Sequence, residues 1–248
     1  MSECVPSIPP VWVISLERAA ARREFVTQHC AAVGLPFEIL DAVDAYDLDE
    51  EQRARYSRRR ALLEVGRPLL PGEIGCALSH LEVYERMIRE GHPMVVVMED
   101  DVEATTALSE MLEDLSRLPN DWDLVTFHSL FDTSEPVPIS SELWAGSYQL
   151  CRYQRKVFGT QCYAITAEAA ERVLAVADPI RMPFDELLFR QEPAHLSVYG
   201  FEPKVVREGA FGSELEARAT ADGDRPLGLA DRGTVLAGKL RRRITELI

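Results

Sequence analysis

Three consecutive carboxylate side chains, Glu99, Asp100 and Asp101, follow directly on the most apolar run of the sequence, residues 94–98. Such a run is typical of a central strand that is covered on both faces. Neighbouring acids at the end of a buried strand raise one another's pKa, and desolvation adds to this cost. A divalent cation such as Mn²⁺ or Mg²⁺ relieves it, because both ions prefer oxygen ligands.

A metal ion here would lie outside the carboxyl ends of the strands, where ligands of open α/β sheets bind. It would bridge the two phosphates of a nucleotide diphosphate and neutralise charge on a leaving group. The alternative is that the three acids cap the following helix or simply face water. The acidic residues taken alone leave both interpretations open.

The elements that would position these acids alternate between strands and helices. A β-branched run over residues 11–16 predicts a first strand, helical spacing follows over 17–34, and 37–40 predicts a second strand. This order indicates a parallel α/β unit. The remaining predictions are a charged, helix-prone stretch over 47–67, helices over 72–91, 108–118 and 167–177, strands over 94–98, 124–127 and 161–165, and a loop or small hairpin over 131–150.

Composition limits the classes of function. The chain has 248 residues, 46% of them apolar, which is enough for one substantial core. A net charge of −14 argues against electrostatic binding of nucleic acid. The five cysteines show no C-x-x-C spacing, so neither a disulfide framework nor a zinc knot is expected. With no leader pattern and no apolar run long enough to span a bilayer, we expect a cytoplasmic protein.

Several sequence blocks occur in the order typical of glycosyltransferase family 25, and the chain resembles that family over residues 11–215. Two positions depart from the family pattern, with Ser15 in place of the usual Asn and Ala45 in place of Gly. The blocks are Val13-Ile14-Ser15-Leu16-Glu17-Arg18 with Arg22-Arg23, Ala42-Val43-Asp44-Ala45, Leu70-Pro71-Gly72-Glu73-Ile74-Gly75-Cys76-Ala77-Leu78-Ser79-His80, Met98-Glu99-Asp100-Asp101-Val102, Gly159-Thr160-Gln161-Cys162-Tyr163-Ala164-Ile165-Thr166 and Pro183-Phe184-Asp185.

The resemblance implies a GT-A-like (Rossmann-like) α/β fold in a single domain, with a mixed, mostly parallel sheet. It also implies a UDP-sugar donor, commonly UDP-galactose, and inverting transfer of the hexose to a saccharide hydroxyl, as in lipopolysaccharide biosynthesis. We predict a catalytic domain over residues 1–215 and a C-terminal extension over 216–248, with a mobile loop over 219–233 and a basic helix.

The resemblance and the chemistry together assign roles. Asp101 and then Glu99 are the expected ligands of Mn²⁺ or Mg²⁺, and Asp185 or Glu186 is the expected general base, with Asp101 counted among the catalytic residues. The expected donor-binding residues are Leu16, Arg18, Arg22, Asp44, Ser79, His80, Asp100, Gly159 and Thr160. Several of these residues have a structural alternative: a helix cap for Asp185, a satisfied core histidine for His80, solvated helix positions for Arg18 and Arg23, a turn acid for Asp44 and a strand-entry turn for Gly159 and Thr160.

The basic run from Lys239 to Arg243 is either a peripheral contact with the inner face of the cytoplasmic membrane, near a lipid-linked acceptor, or the solvated face of a last helix. Two other functions remain open. One is a metal-dependent nucleotidyltransferase or phosphohydrolase, which would use the same acids. The other is a non-catalytic binding protein on a transferase fold.

Overall fold

The computed structural model describes residues 8–128, 136–153, 159–189, 194–211 and 229–245. The strands of these segments are β1 (Val11–Ser15), β2 (Glu38–Asp41), β3 (Met94–Glu99), β4 (Val102–Glu103), β5 (Leu124–Thr126), β6 (Pro136–Trp144), β7 (Tyr148–Tyr153), β8 (Cys162–Thr166), β9 (Val198–Glu202) and β10 (Arg207–Glu208). The helices are α1 (Ala20–Ala32), α2 (Glu50–Ala54), α3 (Arg58–Glu64), α4 (Pro71–Glu90), α5 (Thr106–Glu113), α6 (Ala167–Ala177), α7 (Phe184–Phe189) and α8 (Leu229–Thr245).

The described residues form one large sheet with the strand order β2-β1-β3-β8-β5-β9-β7-β6, beside a two-stranded β4/β10 ribbon. Strand β1 pairs in parallel with β2 and β3, and β5 pairs in parallel with β9. The other pairings are antiparallel, so only β7 and β8 of this described sheet run against the rest. The predicted α/β class with a mixed, mostly parallel sheet is confirmed.

Strand β3 explains the apolar run that precedes the acids. Its residues 95–98 are fully buried because β1 and β8 flank the strand and helices cover both faces of the sheet. Val95 and Val97 pack with α4, α6 and α7, whereas Val96 and Met98 pack with α1 and α5. Successive side chains of a strand point to opposite faces, so a strand covered on both sides reads as one continuous apolar run.

Several predicted elements have different bounds in the structure. The helix-prone stretch over 47–67 contains two short helices, α2 and α3. They are separate because the backbone around Tyr56 pairs with Ile180 between them. The helix predicted over 108–118 begins earlier, at the Thr105 cap, and gives way to a 3-10 turn over Leu115–Arg117. The residues predicted as a loop or small hairpin over 131–150 include the β6/β7 hairpin.

The C-terminal helix α8 packs against α3. Arg58 donates to both carboxylate oxygens of Asp231 at 2.6 and 2.9 Å, and Gly238 approaches the backbone of Leu63. The predicted mobile loop over 219–233 was therefore too long, because residues 229–233 already belong to α8. The rest of that loop and the predicted boundary at residue 215 lie outside the described residues. None of the described helices combines the length and apolar character needed to cross a membrane.

Candidate active site

The acidic signature lies at the carboxyl edge of the sheet, because parallel pairing aligns the end of β3 with the end of β1. Ile14 of β1 is in register with Glu99, and the next residue, Ser15, donates from Oγ to Asp100 Oδ2 at 2.6 Å. Asp100 is 7% exposed. The alternative that the acids cap the next helix does not hold, since Thr105 caps α5 through its own hydroxyl.

Arg22 of α1 neutralises part of the acidic cluster. Its Nη1 donates to Asp100 Oδ1 at 2.9 Å and to Asp101 Oδ2 at 3.0 Å. The second oxygen, Asp101 Oδ1, is buried and has no hydrogen-bond partner among the described residues. Burial raises the pKa of Asp101, which the Arg22 charge partly counteracts. An oxygen in this state is a suitable ligand for a cation.

Glu99 is held apart from this arginine. Thr160 donates from Oγ1 to Glu99 Oε1 at 2.6 Å. Desolvation, followed by the negative charge of Asp101, raises the pKa of Glu99 to about 8. Without a cation Glu99 is therefore protonated at neutral pH, and a divalent ion would favour its charged form.

His80 is a buried histidine of α4. Its Nδ1 lies 2.8 Å from the Tyr163 hydroxyl, which lies 2.8 Å from the Tyr84 hydroxyl, and its ring stacks on Phe184. Burial lowers the pKa of His80 to about 3, so the imidazole is neutral. The structure thus combines the two interpretations of this residue, since a satisfied core histidine also borders the pocket described next.

An open pocket lies beside the acids, between the ends of β1 and β2 and the start of α4. Arg18 and Asp44 form an ion pair at its wall. Leu16 lines it too, while the Leu16 carbonyl accepts from Arg23 Nε at 3.1 Å. The lining residues are Ile14, Ser15, Leu16, Arg18, Arg22, Ala42, Val43, Asp44, Ala45, Tyr46, Leu70, Pro71, Gly72, Gly75, Cys76, Ser79, His80, Glu99 and Asp100.

Ser79 and Gly75 position the pocket wall from within α4. Ser79 Oγ donates to the Gly75 carbonyl at 2.7 Å and accepts from the Val43 amide at 2.9 Å. A Cβ on Gly75 would stand 2.7 Å from the Val43 carbonyl oxygen. The glycine therefore lets the segment that carries Asp44 lie directly on α4, and Ser79 holds that segment in place.

The candidate general bases lie on α7. The helix begins at Phe184, so Asp185 lies inside its first turn and is not the cap of a helix that starts at Glu186; its Oδ1 accepts from the Glu186 amide at 2.8 Å. Burial raises the pKa of Asp185, and a hydrogen bond from the Gly159 amide counteracts this. Asp185 lies close enough to Glu99 and Cys76 for its charge to raise the pKa of both groups. The hydrogen bond to Glu73 raises the pKa of Arg67, and the charge of Glu186 raises it further.

Comparison of the sequence with protein families gives a match to the model described as glycosyltransferase family 25 (LPS biosynthesis protein), over residues 8–188. This range is well over half of the chain. The chain belongs to glycosyltransferase family 25.

Three animal proteins are among the relatives of this chain. A glycosyltransferase 25 family member of Anopheles gambiae is 30% identical over 73% of this chain and 31% of its own length. Procollagen galactosyltransferase 2 of Mus musculus is 28% identical over 72% of this chain and 29% of its own. The inactive glycosyltransferase 25 family member 3 of Homo sapiens is 28% identical over 74% and 32%. The match thus spans about a third of each relative.

Two solved structures are weakly similar to this one. A glycosyltransferase involved in the glycosylation of the major capsid of PBCV-1 superposes with a TM-score of 0.35 and 10% identity, covering 69% of this chain and 66% of its own. A Drosophila galactosyltransferase in complex with manganese, UDP-Gal and xylobiose gives 0.38 and 11%, over 89% and 82%. No residue role is transferred at these levels of similarity.

The site of this family 25 chain brings together most of the residues predicted from sequence. The donor-binding candidates Leu16, Arg18, Arg22, Asp44, Ser79, His80 and Asp100 all line the pocket. Gly159 and Thr160 are not among the lining residues. They hydrogen-bond Asp185 and Glu99, respectively. Asp101 faces Arg22. The buried, unpartnered Asp101 Oδ1 and the desolvated Glu99 carboxyl fit a divalent cation, which the family implies.

Tyr46 and Cys76 are among the pocket residues to which sequence reasoning gave no role. Tyr46 is 51% exposed, and its amide donates to Asp44 Oδ1 at 3.1 Å. An exposed aromatic ring at a pocket mouth is a surface on which a base can stack. Cys76 lies four residues before His80 on α4. That helical spacing was the available signal, because residues four apart share a face.

Proposed function

We propose that this chain is an inverting, metal-dependent glycosyltransferase that transfers a hexose, galactose in the first instance, from a UDP-sugar to a saccharide hydroxyl. The observation that carries the proposal is that Glu99 and Asp100 line the pocket, next in sequence to the buried, unpartnered Asp101 Oδ1, in a chain that belongs to family 25. The family's named galactosyltransferases support the choice of sugar.

In this proposal Glu99 and Asp101 hold Mn²⁺ or Mg²⁺, which when bound offsets negative charge on the departing UDP. Arg18, Asp44 and Tyr46 bind the nucleoside side of the donor, and Arg22 keeps Asp100 and Asp101 in place. Asp185 accepts the proton of the acceptor hydroxyl, a role that suits a buried carboxyl with a raised pKa.

The acceptor and the location of the protein are further parts of the proposal. The family model carries a lipopolysaccharide description, whereas the animal relatives include procollagen galactosyltransferases. We propose a saccharide acceptor, free or lipid-linked, and a cytoplasmic location. Contact with the inner face of the membrane through Lys239–Arg243 is an extension of this proposal. Lys239 is exposed, and the side chains of residues 240–243 lie outside the described residues.

Donor hydrolysis tests the reaction and the metal together. We expect the full chain with Mn²⁺ to release UDP slowly from one member of a UDP-hexose panel, and faster when saccharide acceptors are added. Asp101→Asn should reduce this rate on the order of 100-fold, because one electrostatic partner of the leaving group is lost. Asp114→Asn, an exposed ion-pair residue of the same net charge change, serves as the matched control.

The same assay separates the alternative functions. Release of pyrophosphate would indicate a nucleotidyltransferase, and cleavage of the donor to UMP and a sugar phosphate would indicate a phosphohydrolase. Family 25 includes relatives named as inactive, which favours a non-catalytic binding protein as the second candidate. Thermal stabilisation by UDP and Mn²⁺ without turnover on any donor and acceptor would support that candidate and reject the proposed transfer.

A further inference from the structure

Three side chains of different chemistry meet at the floor of the pocket: Cys76, His80 and Glu99. One ligand atom from each, a sulfur, a ring nitrogen and a carboxylate oxygen, lies within 4.8 Å of the other two. Cys76 and His80 come from the same face of α4 because they are four residues apart, and Glu99 is the last residue of β3. Cys76 and His80 thus have the spacing of two metal ligands on one helix, and Glu99 of β3 adds a third.

Outer hydrogen bonds hold two of these side chains in a binding orientation. When the imidazole proton is on Nδ1, His80 donates to the Tyr163 hydroxyl, and Nε2 keeps its lone pair. Stacking on Phe184, with ring centroids 4.6 Å apart and 12° between the planes, fixes the ring. Thr160 fixes Glu99 in the same way through Oε1. Partners of this kind orient the ligands of protein metal sites and set the histidine tautomer.

We propose that Cys76, His80 and Glu99 form a site for a thiophilic divalent cation, for which Zn²⁺ is the best match. Zinc accepts sulfur, nitrogen and oxygen ligands together, and often keeps three protein ligands and one open position. Mn²⁺ and Mg²⁺ prefer oxygen alone, so a thiolate and an imidazole select against them. Bond lengths of about 2.0–2.3 Å place tetrahedral ligands roughly 3.3–3.6 Å apart. The three ligand atoms lie within 4.8 Å of one another, so the side chains would close in on the ion when it binds.

Occupancy of this site has a consequence for the donor site, and this consequence rests on the proposed function. Glu99 is shared, because it is also a proposed ligand of the catalytic cation with Asp101. A Zn²⁺ ion on Cys76 and His80 would withdraw Glu99 from that cation and direct its open position into the pocket. We therefore expect Zn²⁺ to compete with binding of UDP and Mn²⁺ instead of replacing Mn²⁺ in the reaction.

Cobalt spectroscopy tests the site without any enzymatic activity. We expect one equivalent of Co²⁺, added to the untagged, metal-free full chain, to give tetrahedral ligand-field bands and a thiolate-to-cobalt charge-transfer band, both abolished by one equivalent of Zn²⁺. Cys76→Ser should abolish the charge-transfer band. Tyr163→Phe should weaken Zn²⁺ binding about 10- to 100-fold, because it removes only the outer partner of His80.

Two other cysteines provide the controls. Cys151→Ala changes a buried cysteine of β7 away from the pocket, and Cys4→Ser changes one outside the described residues. Both variants should keep the cobalt spectrum of the unmodified chain. An unchanged charge-transfer band in Cys76→Ser, or the absence of a band at one equivalent in the unmodified chain, would overturn the proposal.

A second measurement applies if Cys76→Ser does not fold. In the unmodified chain, Zn²⁺ should slow maleimide alkylation of Cys76, mapped by peptide mass spectrometry, at least tenfold. Equal alkylation rates with and without Zn²⁺ would reject the site. Neither readout involves UDP or sugar transfer, so failure of the zinc site and failure of the proposed glycosyltransferase are distinguishable.

Discussion

At the scale of single residues, the acidic signature is divided between two environments. Arg22 compensates Asp100 and Asp101, whereas Glu99 faces Thr160 and a desolvated pocket floor. Mutual repulsion among three acids is therefore relieved in part by an arginine before any metal binds. The arginine does not reach the Glu99 carboxyl, which stays protonated without a cation, or the second oxygen of Asp101.

Replacing Arg22 should show how much its charge stabilises Asp100 and Asp101. We expect Arg22→Gln to lower the free energy of unfolding by about 1–3 kcal/mol, because two poorly hydrated carboxylates lose a charged donor. Mn²⁺ should restore more stability to this variant than to the unmodified chain, since the cation replaces the lost charge. Denaturant unfolding with and without Mn²⁺ measures both effects.

Arg117→Gln is the control for that experiment, because its ion pairs with Asp114 and Glu142 lie on the surface. Exposed pairs contribute about 0–1 kcal/mol. If both variants lose the same stability and respond alike to Mn²⁺, Arg22 does not compensate the acids.

The free energy of unfolding should also fall as the pH rises from about 4.5 to 8. With the pKa of Glu99 raised from 4.5 to about 8, the folded chain keeps a proton that the unfolded chain releases between these values. The free energy of unfolding therefore decreases across this window. Between pH 6.5 and 8 we expect the unmodified chain to lose on the order of 2 kcal/mol of its free energy of unfolding through Glu99. The Glu99→Gln variant should not show this loss. Denaturant unfolding at both pH values measures it, with the exposed Glu113→Gln as control.

The neighbouring His80 should act in the opposite direction. Its pKa is lowered from 6.5 to about 3, so between these values the unfolded chain binds a proton that the folded chain does not. The free energy of unfolding then falls as the pH falls, and this opposes the Glu99 effect between pH 4.5 and 6.5. His80→Gln should reduce the loss of stability below pH 4.5. An unchanged acid limb in that variant would contradict a buried neutral histidine.

At the scale of elements, the pocket depends on how closely α4 approaches the segment after β2. Helix propensity alone predicts that Gly75→Ala stabilises the chain by about 1 kcal/mol. The added Cβ would meet the Val43 carbonyl at 2.7 Å, so we expect a cost of about 2 kcal/mol instead. We also expect weaker UDP binding, because the Asp44 segment must move away.

Gly233→Ala in α8 is the matched control, since this exposed helix glycine has no atom within 4 Å of the added Cβ. It should raise the thermal midpoint slightly and leave UDP binding unchanged. Thermal unfolding and titration of UDP with Mn²⁺ compare the two variants. Equal responses would show that the contact with Val43 is not limiting.

At the scale of the whole molecule, α8 at the C-terminal end of the described chain packs against α3, which lies in the first third of the sequence. The contact is close because Gly238 has no side chain: a Cβ would stand 2.3 Å from the Leu63 carbonyl oxygen. We expect Gly238→Ala to loosen this contact and to increase amide hydrogen exchange in both helices by about tenfold or more. Exchange in β3 should stay unchanged, because none of the described side chains of α8 (residues 231–239) belongs to the core clusters around β3.

The sequence by itself determined the α/β class, the central strand, the acidic signature and the family. These features have local causes, such as the continuous apolar run of a strand covered on both faces and short motifs of fixed spacing. Most of the residues that it assigned to the donor site line the pocket. Arg22, one of these expected donor-binding residues, also donates to Asp100 and Asp101.

Only the tertiary structure decided what depends on residues far apart in the chain. Pairing between Tyr56 and Ile180 lies between the two short helices of the helix-prone stretch over 47–67. Cys76 and His80 of α4 acquire a third possible ligand only because β3 places Glu99 beside them. The burial that raises the pKa of Glu99 and lowers the pKa of His80 also depends on contacts between residues far apart in the chain. Periodicity records which face of an element is apolar, whereas packing decides which groups meet there and how much water they lose.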